Sequence, residues 1–153
     1  MTNERVDALV HYFETLTPQS LAELPRFYAA DCRFRDPFND VRGIPALESV
    51  FRHMFEQLDA PRFIVCERVI DASQVLLTWD FEFRFRRWRP HVPQRIHGSS
   101  LLTFDAAGLV TVHRDYWDAA EELYEKLPGI GMLLRWLKRQ GRPQTPRGNI
   151  INI

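Results

Sequence analysis

The sequence predicts an α+β domain, and three observations carry that prediction. Apolar residues recur at helical spacing through most of residues 4–58, alternating runs follow from 62 to 117, and the breaks between those runs are short turn signals. Helices first and then a strand meander is the α+β order rather than a βαβ repeat. The expected arrangement is a curved, mostly antiparallel sheet wrapped by the N-terminal helices around an apolar pocket. At 153 residues the chain fits one domain, long enough to bury roughly two thirds of its unfolded surface. Eleven Phe, four Trp and four Tyr are many for that length, and they need a core or a cavity to line.

The elements follow in order. Val6, Leu9, Val10, Phe13 and Leu16 form the stripe of a first helix, closed by Thr17 and Pro18. A second helix is expected from Thr17, its cap, with Pro18 at the first helical position and Leu21, Leu24, Phe27 and Tyr28 as its apolar face. Pro25 must kink or split it. Cys32, Phe34 and Asp36 alternate with Arg33 and Arg35 in a short strand that ends at Pro37. A loop to Gly43 then leads to a helix with Leu47, Val50, Phe51, Met54, Phe55 and Leu58 on one face, ended by Pro61.

Strands are expected at 62–70, 74–87, 94–105 and 108–117. The second is the clearest. Leu77, Trp79, Phe81, Phe83 and Phe85 point one way, and Thr78, Asp80, Glu82, Arg84 and Arg86 the other. The first set faces an aromatic interior, whereas the charged set makes a sheet face suited to a homodimer contact. Beyond Trp117 the helical pattern returns through Ala119, Leu123 and Leu127, and again through Ile130, Leu133, Leu134 and Leu137. Residues 1–140 are therefore assigned to the domain and 141–153, with Pro143 and Pro146, to a flexible tail.

Charge and composition narrow the function. The net charge is zero, but every charged residue from Lys126 onward is basic, six in all, leaving −6 on the preceding 125 residues. That basic end could meet an acidic partner or a membrane surface, but its simplest partner is the domain's own acidic face. Arg84, Arg86, Arg87, Trp88 and Arg89 form a basic, partly aromatic cluster that an exposed sheet edge or dimer rim explains more simply than nucleic acid. Two cysteines, Cys32 and Cys66, suggest a reducing compartment, and Met1 to Arg5 lack a secretory signal's order, so cytoplasm is expected. No apolar run approaches a membrane span, so no stable insertion is expected. His11, His53, His91 and His97 show no metal-ligand spacing, and no metal or cofactor is signalled.

Phe27-Tyr28-Ala29-Ala30-Asp31 running into Phe34-Arg35-Asp36-Pro37, Gly43 before a helix, and His113-Arg114-Asp115-Tyr116-Trp117-Asp118 at the end of the last strand resemble the NTF2-like superfamily. This cystatin-like cone is shared by ketosteroid isomerases, SnoaL-like polyketide cyclases and limonene epoxide hydrolases. The resemblance covers about residues 4–126. From the ketosteroid isomerases it implies Asp36 as a proton-shuttling base and Tyr12, 24 residues before it, as oxyanion donor. Ser100 stands where their second acid is expected, and a serine donates less strongly. From the limonene epoxide hydrolases it implies Asp115 as a water-activating base, although their Arg-x-Asp on the middle strand is replaced by the inward Leu77, Trp79 and Phe81. From the SnoaL-like cyclases it implies a single pocket acid and base, for which Asp115 with His113 beside it suffices.

The alternation supports that pair independently, since it puts His113, Asp115 and Trp117 on one face. Sharing an aromatic chamber with Asp36 would poise them for proton transfer. The competing structural reading has Asp115 accept a hydrogen bond from Tyr12, Tyr28 or a backbone amide, Asp36 shape a turn, and Tyr12 satisfy one core hydroxyl. The sequence thus predicts catalytic Asp36, Asp115, His113 and Tyr12, with Tyr28, Phe55, Trp79, Phe81, Ser100 and Trp117 lining the ligand pocket. A cofactor-independent isomerase or cyclase acting on a small hydrophobic carbonyl compound is the expected function. A non-catalytic binding or dimerisation module is the alternative, and an epoxide hydrolase the weaker one.

Overall fold

The computed structural model describes residues 3–87 and 89–122, the last two for their backbone alone. The chain divides into two compact units, one ending at Trp117 and the other beginning at Asp118. Of the second unit the described part is a short helix, α3 (Ala119–Glu122), preceded by Asp118, whose Oδ1 accepts from the Ala120 amide at 2.9 Å. The helices expected at 123–140 and the tail at 141–153 lie outside the described residues.

The first unit follows the predicted order. Helix α1 (Asn3–Glu14) buries Val6, Leu9, Tyr12 and Phe13, one face at spacings of three and four. The second predicted helix is instead a 3-10 helix, Ser20–Arg26, and Tyr28 belongs to the next strand. Pro25 inside it lacks an amide proton and crowds the preceding turn, so a continuous α-helix does not form. Thr17 and Ser20 hold the entry turn reciprocally, each backbone amide donating to the other's hydroxyl at 2.9 and 3.1 Å.

Strand β1 (Tyr28–Arg35) begins four residues earlier than the alternation suggested and pairs with a short β2 (Asp40–Arg42), which the sequence reading took as loop. Arg33 clamps Asp40 across that pair through two bonds, at 2.9 and 3.0 Å. Gly43, at φ 86°, turns the chain into α2 (Ile44–Gln57), where Leu47 and Phe51 are buried. That helix ends before Pro61 rather than at it. Leu58 is already extended and opens β3 (Leu58–Asp71), and a register irregularity between Asp59 and Arg62 absorbs the proline on an edge strand.

β4 (Gln74–Phe85), β5 (Gln94–Phe104) and β6 (Val110–Tyr116) complete a six-stranded sheet of order β2-β1-β6-β5-β4-β3. Every pairing is antiparallel except β1 with β6, so the sheet is mostly antiparallel, as the meander predicts. The inner face of β4 carries the predicted aromatic row, with Leu77, Trp79, Phe81 and Phe83 buried. The two α-helices and the 3-10 helix contribute the opposite wall of the core, led by Leu9, Leu21, Leu24 and Leu47. Burying each such leucine contributes about 1.5–3 kcal/mol. Among the described residues no helix is long and apolar enough to cross a membrane.

Candidate active site

Period two on β6 turns His113 inward and exposes Val112 and Tyr116, while Asp115 is half-buried on the inner side. The parallel pairing with β1 sets His113 opposite Phe34, and the antiparallel pairing with β5 sets Asp115 opposite Ser100. Ser100 lies opposite Leu77 on the next strand, and Trp79 reaches it from two pairs further along. With Tyr28 on β1, four neighbouring strands thus deliver polar atoms to one place.

Those atoms form a continuous row. The Trp79 indole donates to Ser100 Oγ at 2.8 Å, and the Ser100 hydroxyl donates to Asp115 Oδ1 at 2.5 Å. His113 Nε2 lies 2.8 Å from the same Oδ1, and Tyr28 Oη lies 2.7 Å from His113 Nδ1. Burial, reinforced by the negative charge of Asp115, pushes the Tyr28 hydroxyl well above its ordinary value, so it keeps its proton. His113 Nδ1 is the sole acceptor for that proton among the described residues, and an unmet buried O–H would be costly. The network therefore assigns Tyr28 as donor to Nδ1 and a neutral His113 as donor from Nε2 to Asp115. Phe13, Phe34 and Tyr28 surround the imidazole, with ring centroids 5.0–6.0 Å away, and fix its plane.

Both donors converge on Oδ1. Asp115 Oδ2 accepts no hydrogen bond among the described residues, and the side chain retains 14% exposure. A carboxylate oriented through one oxygen with the other available is the geometry a proton carrier requires. Beside this row lies a small cavity lined by Phe13, Phe51, Phe63, Val65, Leu77, Trp79 and Ser100. Ser100 is its single polar residue. Its volume of about 20 Å³ has room for about one water molecule, so a larger occupant requires lining side chains to move.

Gly98 and Ser100 build this site; Ser100 is among the residues expected to line the pocket, whereas Gly98 read only as strand. Gly98 lies opposite Trp79, and a Cβ there would stand 2.8 Å from ring atoms of the indole. The missing side chain lets the indole lie against β5 and reach Ser100 two residues on. The other lining residues absent from the predicted pocket are Phe13, Phe51, Phe63, Val65 and Leu77, the last expected only to face inward. Phe63 and Val65 carried a signal, since they alternate with Ile64 along β3.

The remaining predicted residues sit elsewhere. Tyr12 donates to the Ser20 carbonyl at 3.0 Å and stacks on Phe27, with its hydroxyl pushed up by burial. Asp36 shapes the loop that follows β1: its Oδ1 accepts from the amides of Phe38 and Asn39 at 2.7 and 2.6 Å, and both oxygens accept from the Asn39 side chain. Neither touches the His113–Asp115 pair, so the structure does not bring the two predicted carboxylates together. Phe81 stacks on Phe63 beyond the cavity lining, Trp117 packs edge-on against Phe38, and Phe55 is partly buried against the core. Among the described residues no group of three His, Cys, Asp or Glu could hold a metal ion.

The fold is NTF2-like, shared with solved structures of that name. The sequence profile of the SnoaL-like domain matches residues 9–113, most of the chain, and the protein belongs to that family. No curated protein matches it. Among solved structures it is similar to a hypothetical protein of ketosteroid isomerase-like fold from Catenulispora acidiphila, in complex with trimethylamine. That likeness has TM-score 0.67 and 16% identity over 80% of this chain and 92% of that one. A candidate SnoaL-like polyketide cyclase from Shewanella putrefaciens gives 0.65 and 19% over 80% and 98%. An LEH-like epoxide hydrolase from M. tuberculosis gives 0.63 and 15% over 88% and 90%. At such identities the likeness establishes the fold.

Proposed function

We propose that this protein transfers a proton within a small hydrophobic carbonyl compound, as a cofactor-independent isomerase or cyclase, with Asp115 as the proton carrier. The observation that carries the reading is the row Trp79–Ser100–Asp115–His113–Tyr28 set against an otherwise apolar cavity. Asp115 Oδ2 takes the proton from the carbon next to the carbonyl, the C–H electron pair passes into an enolate, and the same proton returns at a second carbon. Ser100 lines the cavity, and its hydroxyl can turn from the newly protonated carboxyl toward the enolate oxygen. His113, held in one tautomer by Tyr28, keeps Asp115 oriented throughout.

Entry of such a compound requires the cavity to widen. Phe63 and Val65 are suited to give way, because β3 is an edge strand with register irregularities on both sides of them. Mass-spectrometric turnover of a pooled library of enones, polyketide aldehydes and small epoxides tests the reading, with wild type compared to Asp115→Asn. Conversion that is lost in the variant supports it; conversion that survives removes Asp115 from the chemistry.

A second reading, a binding module without turnover, is favoured by the small cavity and by a row whose donors are all satisfied internally. Tight binding of a library member with no product would select it. In either case we propose a homodimer through the outer sheet face. Val69, Leu76 and Val112 are exposed there, and Arg114 Nε is buried without an acceptor among the described residues. The free thiols of Cys32 and Cys66 support a cytoplasmic setting.

A further inference from the structure

The outer face of the sheet divides into two ends by register. Val69, Leu76 and Leu101 lie in one row across β3, β4 and β5. At the other end of the same strands, Arg62, Glu82 and Arg95 lie in a second row, with Arg84 beyond it. Six residues of strand separate Leu76 from Glu82, roughly 20 Å. The charged end is therefore distinct from the apolar patch assigned to a second copy.

At the charged end is a groove of about 530 Å³, within the usual range for small-molecule sites. Arg62, Arg84 and Arg95 line it, with Glu82 as the single carboxylate and Ala60 and Pro93 among its apolar surfaces. Glu82 stands between two arginines but pairs with Arg62, at 3.2 Å. Arg95 turns to Asp80, which His97 also approaches, at 2.8 Å. Asp59 faces Arg84 in register but lies 3.8 Å from Arg86 instead. The Arg84 side chain makes no ion pair or hydrogen bond among the described residues.

We infer that this groove binds a small organic phosphate monoester, with Arg84 as its principal contact and Arg62 and Arg95 flanking. Glu82 answers Arg62 and Asp80 answers Arg95, so Arg84 brings the unanswered positive charge, and a phosphate monoester, with a charge of about −1.5 to −2 and three acceptor oxygens, can take Arg84 and still accept from a flanking guanidinium. The planar guanidinium fork meets two phosphate oxygens at once. A carboxylate has two oxygens, and a single guanidinium fork occupies both. The apolar surfaces accommodate the organic part.

Isothermal titration of the full chain with phenyl phosphate, benzoate and phenol at low salt tests the assignment. Phenyl phosphate should bind at least about tenfold more tightly than benzoate, and phenol should not bind. Arg84→Gln should weaken phenyl phosphate about tenfold with an unchanged circular dichroism spectrum, and Arg62→Gln should weaken it in the same direction. Asp115→Asn should leave it unchanged, since that carboxylate belongs to the interior row. Absence of phenyl phosphate binding, equal affinity for benzoate, or full affinity in both arginine variants would overturn the inference.

Discussion

Gly98 lies directly opposite Trp79 in the β4–β5 ladder, and the indole occupies the space a side chain at position 98 would need. Gly98→Ala should push Trp79 off Ser100 and cost about 1–3 kcal/mol, as overpacking generally does. Thermal denaturation and tryptophan fluorescence would register the loss and the new indole environment. Wild-type values in both would show that the close approach is not required.

Ser100 is both acceptor for Trp79 and donor to Asp115. Ser100→Ala strands the indole N–H and removes one of the two donors on Asp115. A loss of about 1–3 kcal/mol is expected, together with reduced turnover. Ser100→Thr, which keeps the hydroxyl, should recover more of the activity than Ala does; equal activity in the two would separate the hydroxyl from function.

Tyr28 makes stability depend on alkaline pH. Its folded-state value is raised by burial, so the folded protein retains a proton that the unfolded chain releases near pH 10. Its contribution is complete below that pH and is lost as pH rises through the folded value. Urea denaturation between pH 8 and 11, values chosen about the ordinary phenol range, should show stability falling at the upper end, and less steeply in Tyr28→Phe. Identical slopes would contradict the assignment.

Tyr12 and Asp36 make local hydrogen bonds, Tyr12 to the Ser20 carbonyl and Asp36 to the amides of Phe38 and Asn39. Tyr12→Phe should keep turnover and lose about 0.5–1.5 kcal/mol, the worth of its bond to the Ser20 carbonyl. Asp36→Ala should loosen the loop through Asn39, seen as increased amide exchange there, without abolishing turnover. Abolished activity in a folded Tyr12→Phe would return that hydroxyl to the chemistry.

Leu76→Asp places a charge in the exposed apolar patch and should shift a dimer toward monomer in equilibrium sedimentation. A monomeric wild type would remove the proposed interface. Arg114, whose Nε–H finds no acceptor among the described residues, is the companion variant, since its loss should cost a dimer more than a monomer.

How much of the site was legible depended on how local its signal is. The β6 alternation set His113 and Asp115 on one face, and β4 announced its aromatic row, because a strand's two faces are fixed by backbone geometry alone. Tyr28 read as helix because its apolar neighbours fit a period of about 3.6, and Pro25 decided otherwise. Asp36 and Asp115 entered as candidate proton carriers through the family resemblance, Asp36 from its Asp-Pro pair and Asp115 from the run that ends the last strand. Their separation follows from the loop bonds of Asp36, which no spacing reveals.

The sequence by itself determined the α+β order, the inner and outer faces of the long strands, and a family likeness that the SnoaL-like match bears out. These follow from periodicity and turn chemistry, which act over a few residues. Only the tertiary structure decided which polar atoms meet. The Tyr28–His113 contact spans 85 positions and rests on the parallel β1–β6 pairing, and Ser100 meets Asp115 through the β5–β6 register. Register is a property of paired strands, and a slip of one residue would send each of these side chains to the opposite face.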